Sequence, residues 1–483
     1  MFKKIICCLL VTIILITLSG CFEAKKPEFP SFDQSTTSLP DSSASSNTTT
    51  ESDKNTTTSK PTQSKPTQSK PALSKPTQNS SGGVVIEKPA QNVTSENTSV
   101  SSPTIEVPVA PVTYHTPLST DEYYQYLTLD EKGKEIYKKI STAIETTQNV
   151  VNLKDFKVDF DTVWQIYQKL IADNPQYFWV SKFITYTETS ENGQSMLVDF
   201  YVSYTDGDVT DTFDDKSQLI VVANRQKIQN QIDNVNQKIK AILSGIPANA
   251  PVINKEKLIH DAVLKTVSYD YNAINQTPTK NNYPRVWDIY GALCNQKAVC
   301  EGYSKLFQYL CYRVGINCTF VQGTSENQPH AWNTVNLNGG WYHIDTTWDD
   351  ASNSGVPLYD YFNLTTEEIC ADHTIDQKDI VVPTATATEY SFTNTFGMKL
   401  KNLTSAPLNY QKAIDYTVQF DSPYLYIMVD QQNISHAYSN YLMMYFWGPK
   451  SEVGQYIKNK GYQLSFEENT ITYTDSCIFI KRK

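Results

Sequence analysis

The sequence predicts an α+β fold in which one helix presents a cysteine to an antiparallel β-sheet, with smaller α+β units on either side. Three observations predict it. An apolar stripe follows Cys300 at helical spacing, two alternating strands flank Asn338-Gly339, and strand signals alternate with a short helix towards the C-terminus. The 483 residues are 40% hydrophobic and 19% charged, with 18 glycines, which excludes a collagen-like, coiled-coil or wholly disordered chain. Forty-one basic and 51 acidic side chains give a net charge of −10, so no sequence-independent nucleic-acid binding is expected.

Residues 1–20 look like an address. Lys3 and Lys4 precede an apolar run from Ile5 to Leu18 that is too short for a comfortable membrane span, which reads as a secretory signal. Leu18-Ser19-Gly20-Cys21 resembles the lipobox of bacterial lipoproteins. The resemblance implies a diacylglycerol on the Cys21 thiol and a chain anchored on the extracellular face of the membrane. Residues 21–115 are dominated by Ser, Thr, Pro, Asn and Lys, with the repeat Ser59-Lys60-Pro61-Thr62-Gln63 resumed at Ser64, Ser69 and Ser74. Such a tract buries too little apolar surface to offset its ordering entropy, so a disordered tether is expected. As a flexible coil it would span roughly 50 to 60 Å, enough to reach into a cell wall.

Residues 116–248 read as an N-terminal helical α+β domain. Thr128-Leu129-Asp130-Glu131 fits a capping box ahead of Ile136, Ile140 and Ile144, and a second helix from Asp161 through Leu170 stops at Asn174-Pro175. Strands follow at Phe183–Thr187 and Met196–Tyr204, then a long amphipathic helix from Gln218 to Leu243. In the central unit, residues 249–375, Asn254 is the expected cap of the first helix. Residues 376–483 predict a C-terminal α+β module, with strands at Tyr424–Val429, Thr470–Tyr473 and Cys477–Ile480 and a helix over Val453–Asn459.

The chemistry concentrates between residues 294 and 350. Tyr303, Leu306, Phe307, Leu310, Cys311 and Val314 form a core stripe, so Cys300 falls at the first turn of that helix, facing unpaired N–H groups and the positive end of the dipole. A cysteine nucleophile needs this, because the thiolate attacks and helix N-termini favour it. His330 opens the strand His330-Ala331-Trp332-Asn333, which ends at Asn338-Gly339, the turn signal of a two-residue hairpin. In that register Leu337 pairs with Gly340 and Trp332 faces Asp345, so His330 lies diagonal to Asp345 at roughly 7 to 8 Å between backbones. The carboxylate would then orient the imidazole. His343 is the rival base on the same strand as Asp345.

The order of cysteine, histidine and aspartate resembles the transglutaminase-like superfamily, which shares its core with papain-like cysteine peptidases. The matching stretches are Tyr269-Asp270-Tyr271, Tyr290-Gly291-Ala292-Leu293, Val299-Cys300-Glu301-Gly302-Tyr303-Ser304, His330-Ala331-Trp332-Asn333 and Trp341-Tyr342-His343-Ile344-Asp345-Thr346-Thr347-Trp348-Asp349. The resemblance covers about residues 250–375. It implies Cys300 as nucleophile, His330 as base and later acid, Asp345 as orienting carboxylate, and a thioester resolved by water or by a lysine amine. Expected partners are a protein or peptide amide, peptidoglycan peptides among the candidates, and the membrane through Cys21.

The oxyanion needs donors; the Cys300 N–H is the natural one, and Trp287, Tyr290, Gln296 and Trp332 are the side-chain candidates. No cofactor or metal is assigned. Asp349 and Asp350 fall far short of a calcium shell, and neither Cys-x-x-Cys nor His-Glu-x-x-His occurs. Cys311 and Cys318 read as small buried hydrophobes with a disulfide between them left open, while a Cys294–Cys300 bond would switch an enzyme off. The competing function is a catalytically silent binding module for cell-wall or protein ligands.

Overall fold

The computed structural model describes residues 85–87, 119–191, 193–210, 220–273, 283–350, 357–400, 407–429, 451–473 and 477–482. The signal segment, Cys21 and the tether apart from Val85–Glu87 lie outside the described residues. Val85–Glu87 (β1) is a difference from the expected tether. Val85 and Ile86 are β-branched, and the three residues extend a sheet by pairing in parallel with Phe183–Thr185.

The N-terminal region runs α1 (Tyr124–Leu127), α2 (Glu131–Glu145), β2 (Val150–Asn152), α3 (Phe160–Asp173), β3 (Val180–Glu191), β4 (Gln194–Tyr204), β5 (Gly207–Thr210), β6 (Ile220–Ala223) and α4 (Arg225–Leu243). Its main sheet has the order β1-β3-β4-β2. Ile136, Ile140 and Ile144 are fully buried, as their spacing predicts. The cap differs: Asp130, not Thr128, accepts from the Gly133 N–H at 2.7 Å, because a carboxylate two residues later reaches the free amides of the helix that actually forms. The long amphipathic helix starts seven residues later than expected, since Ile220–Ala223, rich in β-branched side chains, pairs with Gly207–Thr210 as a strand; Gln218 itself lies outside the described residues.

In the centre, α5 (Val252–Thr266) leads to β7 (Ser268–Tyr269), β8 (Lys297–Ala298), α6 (Cys300–Arg313), β9 (Asn317–Ser325), β10 (Gln328–Leu337), β11 (Gly340–Ile344), α7 (Thr366–Ile369) and β12 (His373–Asp376). Pro251, not Asn254, stands at the start of α5; Asn254 is buried inside it. Proline suits a helix entrance because its φ is already set and it has no N–H to leave unpaired. The antiparallel sheet has the order β11-β10-β9-β12. The hairpin register is the expected one, Leu337 opposite Gly340 and Asn333 opposite Ile344. Asn338 and Gly339 take φ of 52° and 93°, the doubly left-handed turn that matches strand twist.

Towards the C-terminus lie α8 (Phe392–Thr395), β13 (Met398–Leu400), α9 (Tyr410–Gln419), β14 (Tyr424–Val429), α10 (Glu452–Lys460), β15 (Phe466–Tyr473) and β16 (Cys477–Arg482), with sheet order β13-β14-β16-β15. Side chains from all three regions meet in one buried cluster that includes Ile136, Trp179, Phe200, Tyr303, Phe307, Tyr426 and Phe479. Among the described residues no helix is long and apolar enough to cross a membrane.

Gly302 lets α6 sit down on the turn before it. A Cβ there would stand 2.6 Å from both the Ala298 Cβ and the Val286 carbonyl oxygen. Gly302→Val is therefore expected to cost about 1–3 kcal/mol by overpacking, read as a lower urea midpoint; an unchanged midpoint would mean that the 285–298 segment yields without cost.

Candidate active site

Cys300 is the first residue of α6, behind Val299 in extended conformation, and packs partly buried against Ala172, Phe320, Ala331 and Ile380. The helix is held from both sides. Glu301 binds Lys182 Nζ at 2.6 Å and Lys305 Nζ at 2.7 Å, while the Ser304 hydroxyl donates to the Ala331 carbonyl at 2.9 Å. Burial lowers the Lys182 ammonium to about 8 although Glu301 opposes it. The turn upstream is fixed by Arg285, which donates to Asp288 at 2.6 Å, to Asp206 at 2.8 Å and to the Phe178 carbonyl at 3.0 Å.

Strand alternation divides β10. Ala331 packs with Cys300, whereas Trp332 belongs to a separate cluster with Val321, Ile369 and Val382. His330, at the end of β10, places Nε2 2.5 Å from Asp345 Oδ2, and its imidazole is close enough to the Cys300 thiol to interact with it electrostatically. With Nε2 taken by the carboxylate, Nδ1 is the nitrogen left for sulfur. Burial alone would depress the imidazolium, but the charge and hydrogen bond of Asp345, with the neighbouring Cys300, lift it to about 10.

Asp345 is fully buried. Its Oδ1 accepts the backbone N–H groups of Thr347 at 2.8 Å and Trp348 at 3.2 Å, and its Oδ2 faces His330 and, at 3.2 Å, His373 Nε2. Burial pushes the carboxyl up, yet these two histidines hold it well below the usual range. His343 is excluded as the base. Its Nδ1 accepts the Trp332 indole N–H at 3.0 Å, its Nε2 meets the Thr366 hydroxyl, and burial with the nearby His373 charge lowers it to about 3.

The side-chain oxyanion candidates separate. Trp332 has its one N–H on His343 and is not a free donor. The Trp287 ring lies 4.8 Å under Lys182 Nζ, and Tyr290 stacks between Phe178 and the Arg285 guanidinium; both are packing residues of the upstream turn. Gln296 is an exposed left-handed residue at the end of the 291–295 turn, used through its carbonyl by Ser268. Tyr269, quoted in the resemblance but given no role from the sequence, is the residue missed: its phenol is close enough to Cys300 for the two to interact electrostatically. Burial, with the charge of Cys300, raises that phenol well above its ordinary value, so it stays a neutral O–H.

His330, Asp345 and His373 bring ligand atoms within 4.8 Å of one another. The His330–Asp345 separation of 2.5 Å is that of a charge-assisted hydrogen bond, shorter than the roughly 3.3 Å between ligands about 2 Å from a tetrahedral zinc. Asp349 binds His260 at 3.1 Å and the Tyr361 N–H at 2.9 Å, and Asp350 binds the Tyr303 hydroxyl at 2.5 Å. None of the six described cysteines forms a disulfide with another.

Residues 240–346 match the family model of the transglutaminase-like superfamily, so the chain carries a transglutaminase-like domain that contains Cys300, His330 and Asp345. Among curated proteins, the kyphoscoliosis peptidase of Mus musculus is 32% identical over 132 residues, 23% of this chain and 19% of that one. Its Homo sapiens counterpart is 32% identical over 106 residues, 18% and 16% of the two chains. The chain thus spans about a fifth of the length of these relatives. A crystal structure of a TGase is similar at 20% identity and a TM-score of 0.23, covering 40% of this chain and 48% of that one.

The Asp345–His330 pair makes stability depend on pH. Asp345, depressed in the fold, contributes above its unfolded value of about 4 and loses that contribution as pH falls through its lowered folded value. His330, raised in the fold, contributes fully below its unfolded value of about 6.5 and loses it as pH rises towards about 10. The melting-temperature advantage of the unmodified chain over Asp345→Asn is expected to peak between about pH 4 and 6.5 and to shrink on both sides; a flat difference would show that the pair is not ionised.

Proposed function

We propose that this protein is a cysteine-dependent acyltransferase or amide and peptide hydrolase of transglutaminase-like type, acting through Cys300, His330 and Asp345. The observation that carries the reading is a single imidazole, bound to a buried carboxylate and electrostatically linked to a helix-start thiol. Cys300 Sγ, as thiolate, adds to the carbonyl carbon of a glutamine side chain or peptide amide. The tetrahedral oxyanion is held by the Cys300 N–H and the Tyr269 hydroxyl. The C–N bond then breaks, the leaving ammonia or amine takes the proton from His330, and a thioester remains on Cys300. Water, or a lysine amine, gives a proton to His330 and attacks the thioester, forming an acid or an isopeptide and releasing the thiolate.

The sequence further supports a location on the extracellular face of a bacterial membrane, anchored through lipid on Cys21, with protein or peptidoglycan-peptide amides within reach of the tether.

Site-resolved labelling of the full-length chain with limiting iodoacetamide tests the mechanism. Cys300 is expected to alkylate ahead of the other thiols below pH 7, and His330→Ala is expected to slow it by about 10²-fold at pH 6, where an unassisted thiol is almost wholly protonated. Equal rates with and without His330 would sink the proposal. Separately, Tyr269→Phe is expected to slow turnover of an amide substrate by about 10- to 10²-fold while Cys300 alkylation is retained, since the phenol acts on the oxyanion and not on sulfur; unchanged turnover would remove Tyr269 from the site.

A further inference from the structure

The carboxylate that orients His330 serves a second imidazole. His373 opens β12, on the far side of β9 from β10, and is 3% exposed. Its Nε2 lies 3.2 Å from the same Asp345 oxygen that His330 uses, and its Nδ1 lies 2.5 Å from Asp372 Oδ1. Both nitrogens therefore face carboxylates, an arrangement satisfied in full only when both carry hydrogen. Asp372 is in turn held by the Tyr361 hydroxyl at 2.7 Å, so a hydrogen-bonded chain runs from an exposed carboxylate through His373 and Asp345 to His330, beside the Cys300 thiol.

The sheet is built to allow this. His330 pairs with Gly323 on β9, and a Cβ at Gly323 would stand 1.9 Å from the Thr374 carbonyl oxygen and 2.9 Å from the Trp332 ring. Without that side chain, β12 closes on β9 and the two imidazoles come to 5.3 Å between centroids, walled by the rings of Trp332, Trp348 and Tyr361. His373 also lies outside the 240–346 stretch that matches the family model.

We propose that His373 is a positioning residue of this site: by donating to Asp345 Oδ2 beside His330, it fixes the carboxylate and divides its charge between two imidazoles, so that His330 holds its proton less tightly. The inference rests on the Cys300, His330 and Asp345 reading above. The charged or titratable groups around His373 are Asp345, His330, Asp372, His343 and Tyr361. Burial disfavours the charged ring, while Asp345 and Asp372 favour it and raise it overall; His330 opposes it. The consequence for chemistry is direct. A carboxylate given wholly to His330 would make it a poor acid towards the leaving amine, whereas a shared one leaves the proton transferable.

The pH profile of Cys300 alkylation in the full-length chain tests this. In a thiolate–imidazolium pair the rate changes once as the thiol ionises and again as His330 loses its proton; the upper inflection is identified as the one that His330→Ala abolishes. His373→Leu, which removes the donor, is expected to raise that inflection by about 0.5 to 1 pH unit, and His373→Gln, which restores one N–H, to return it towards the unmodified value. A merely structural histidine would lower the unfolding midpoint without moving the inflection. Should His373→Leu fail to fold, Asp372→Asn, which loosens His373 from behind, is expected to shift the inflection in the same direction by less. An inflection within about 0.2 unit of the unmodified value in the folded variant overturns the role of His373 and leaves the triad standing. An unmodified chain with no inflection dependent on His330 overturns the triad and this inference together.

Discussion

The site depends on a buried negative charge. A carboxylate removed from water costs several kcal/mol unless donors surround it, and Asp345 meets four, two from the backbone of its own turn and two from imidazoles. The backbone pair fixes where Oδ1 points, which leaves Oδ2 aimed at the histidines. The direction of the His330 ring follows from that, and with it the nitrogen offered to Cys300. Mobility at the turn 345–348 would therefore be passed to the His330 ring through a single hydrogen bond.

Much of this was legible from local rules. Asn338-Gly339 admits few turns, the turn fixes the register, and the register puts His330 near Asp345 before any packing is considered. The stripe from Tyr303 to Cys311 places Cys300 at a helix start in the same way. Both inferences use residues close in sequence, where stereochemistry dominates. Helix entrances were read less well, because capping chemistry at Thr128 and Asn254 competed with Asp130 and Pro251 only a few residues away.

What sequence could not give is what the tertiary fold brings from afar. Lys182 comes from β3 to pin Glu301, and Tyr269 comes from β7 to lie close to Cys300. His373 shares a carboxylate with His330 across a strand, and no periodicity connects the two. A lone histidine at the start of a four-residue strand is indistinguishable from a structural one until its partner is seen. The available signal was weak: Asp372 beside His373 hints at a charged imidazole, and Gly323 opposite His330 hints at a strand that must come close.

The C-terminal module, which suggests no chemistry by sequence, has a mechanical relation to the same carboxylate. Tyr426 of β14 meets Tyr359 edge-on at 4.9 Å, and Tyr359 stacks on Phe392 at 4.1 Å. The Tyr359 hydroxyl joins Lys257 and Asp261, Asp261 joins His260, and His260 joins Asp349, four residues after Asp345. Every member of that chain is at least partly buried, so slack at one end cannot be taken up by water without leaving a polar group unpaired. The Asp349 end also accepts the Tyr361 N–H, while the Tyr361 carbonyl accepts the Asp345 N–H. Packing in the C-terminal module thus bears on the turn that aims Asp345, which makes that module part of the support for the site.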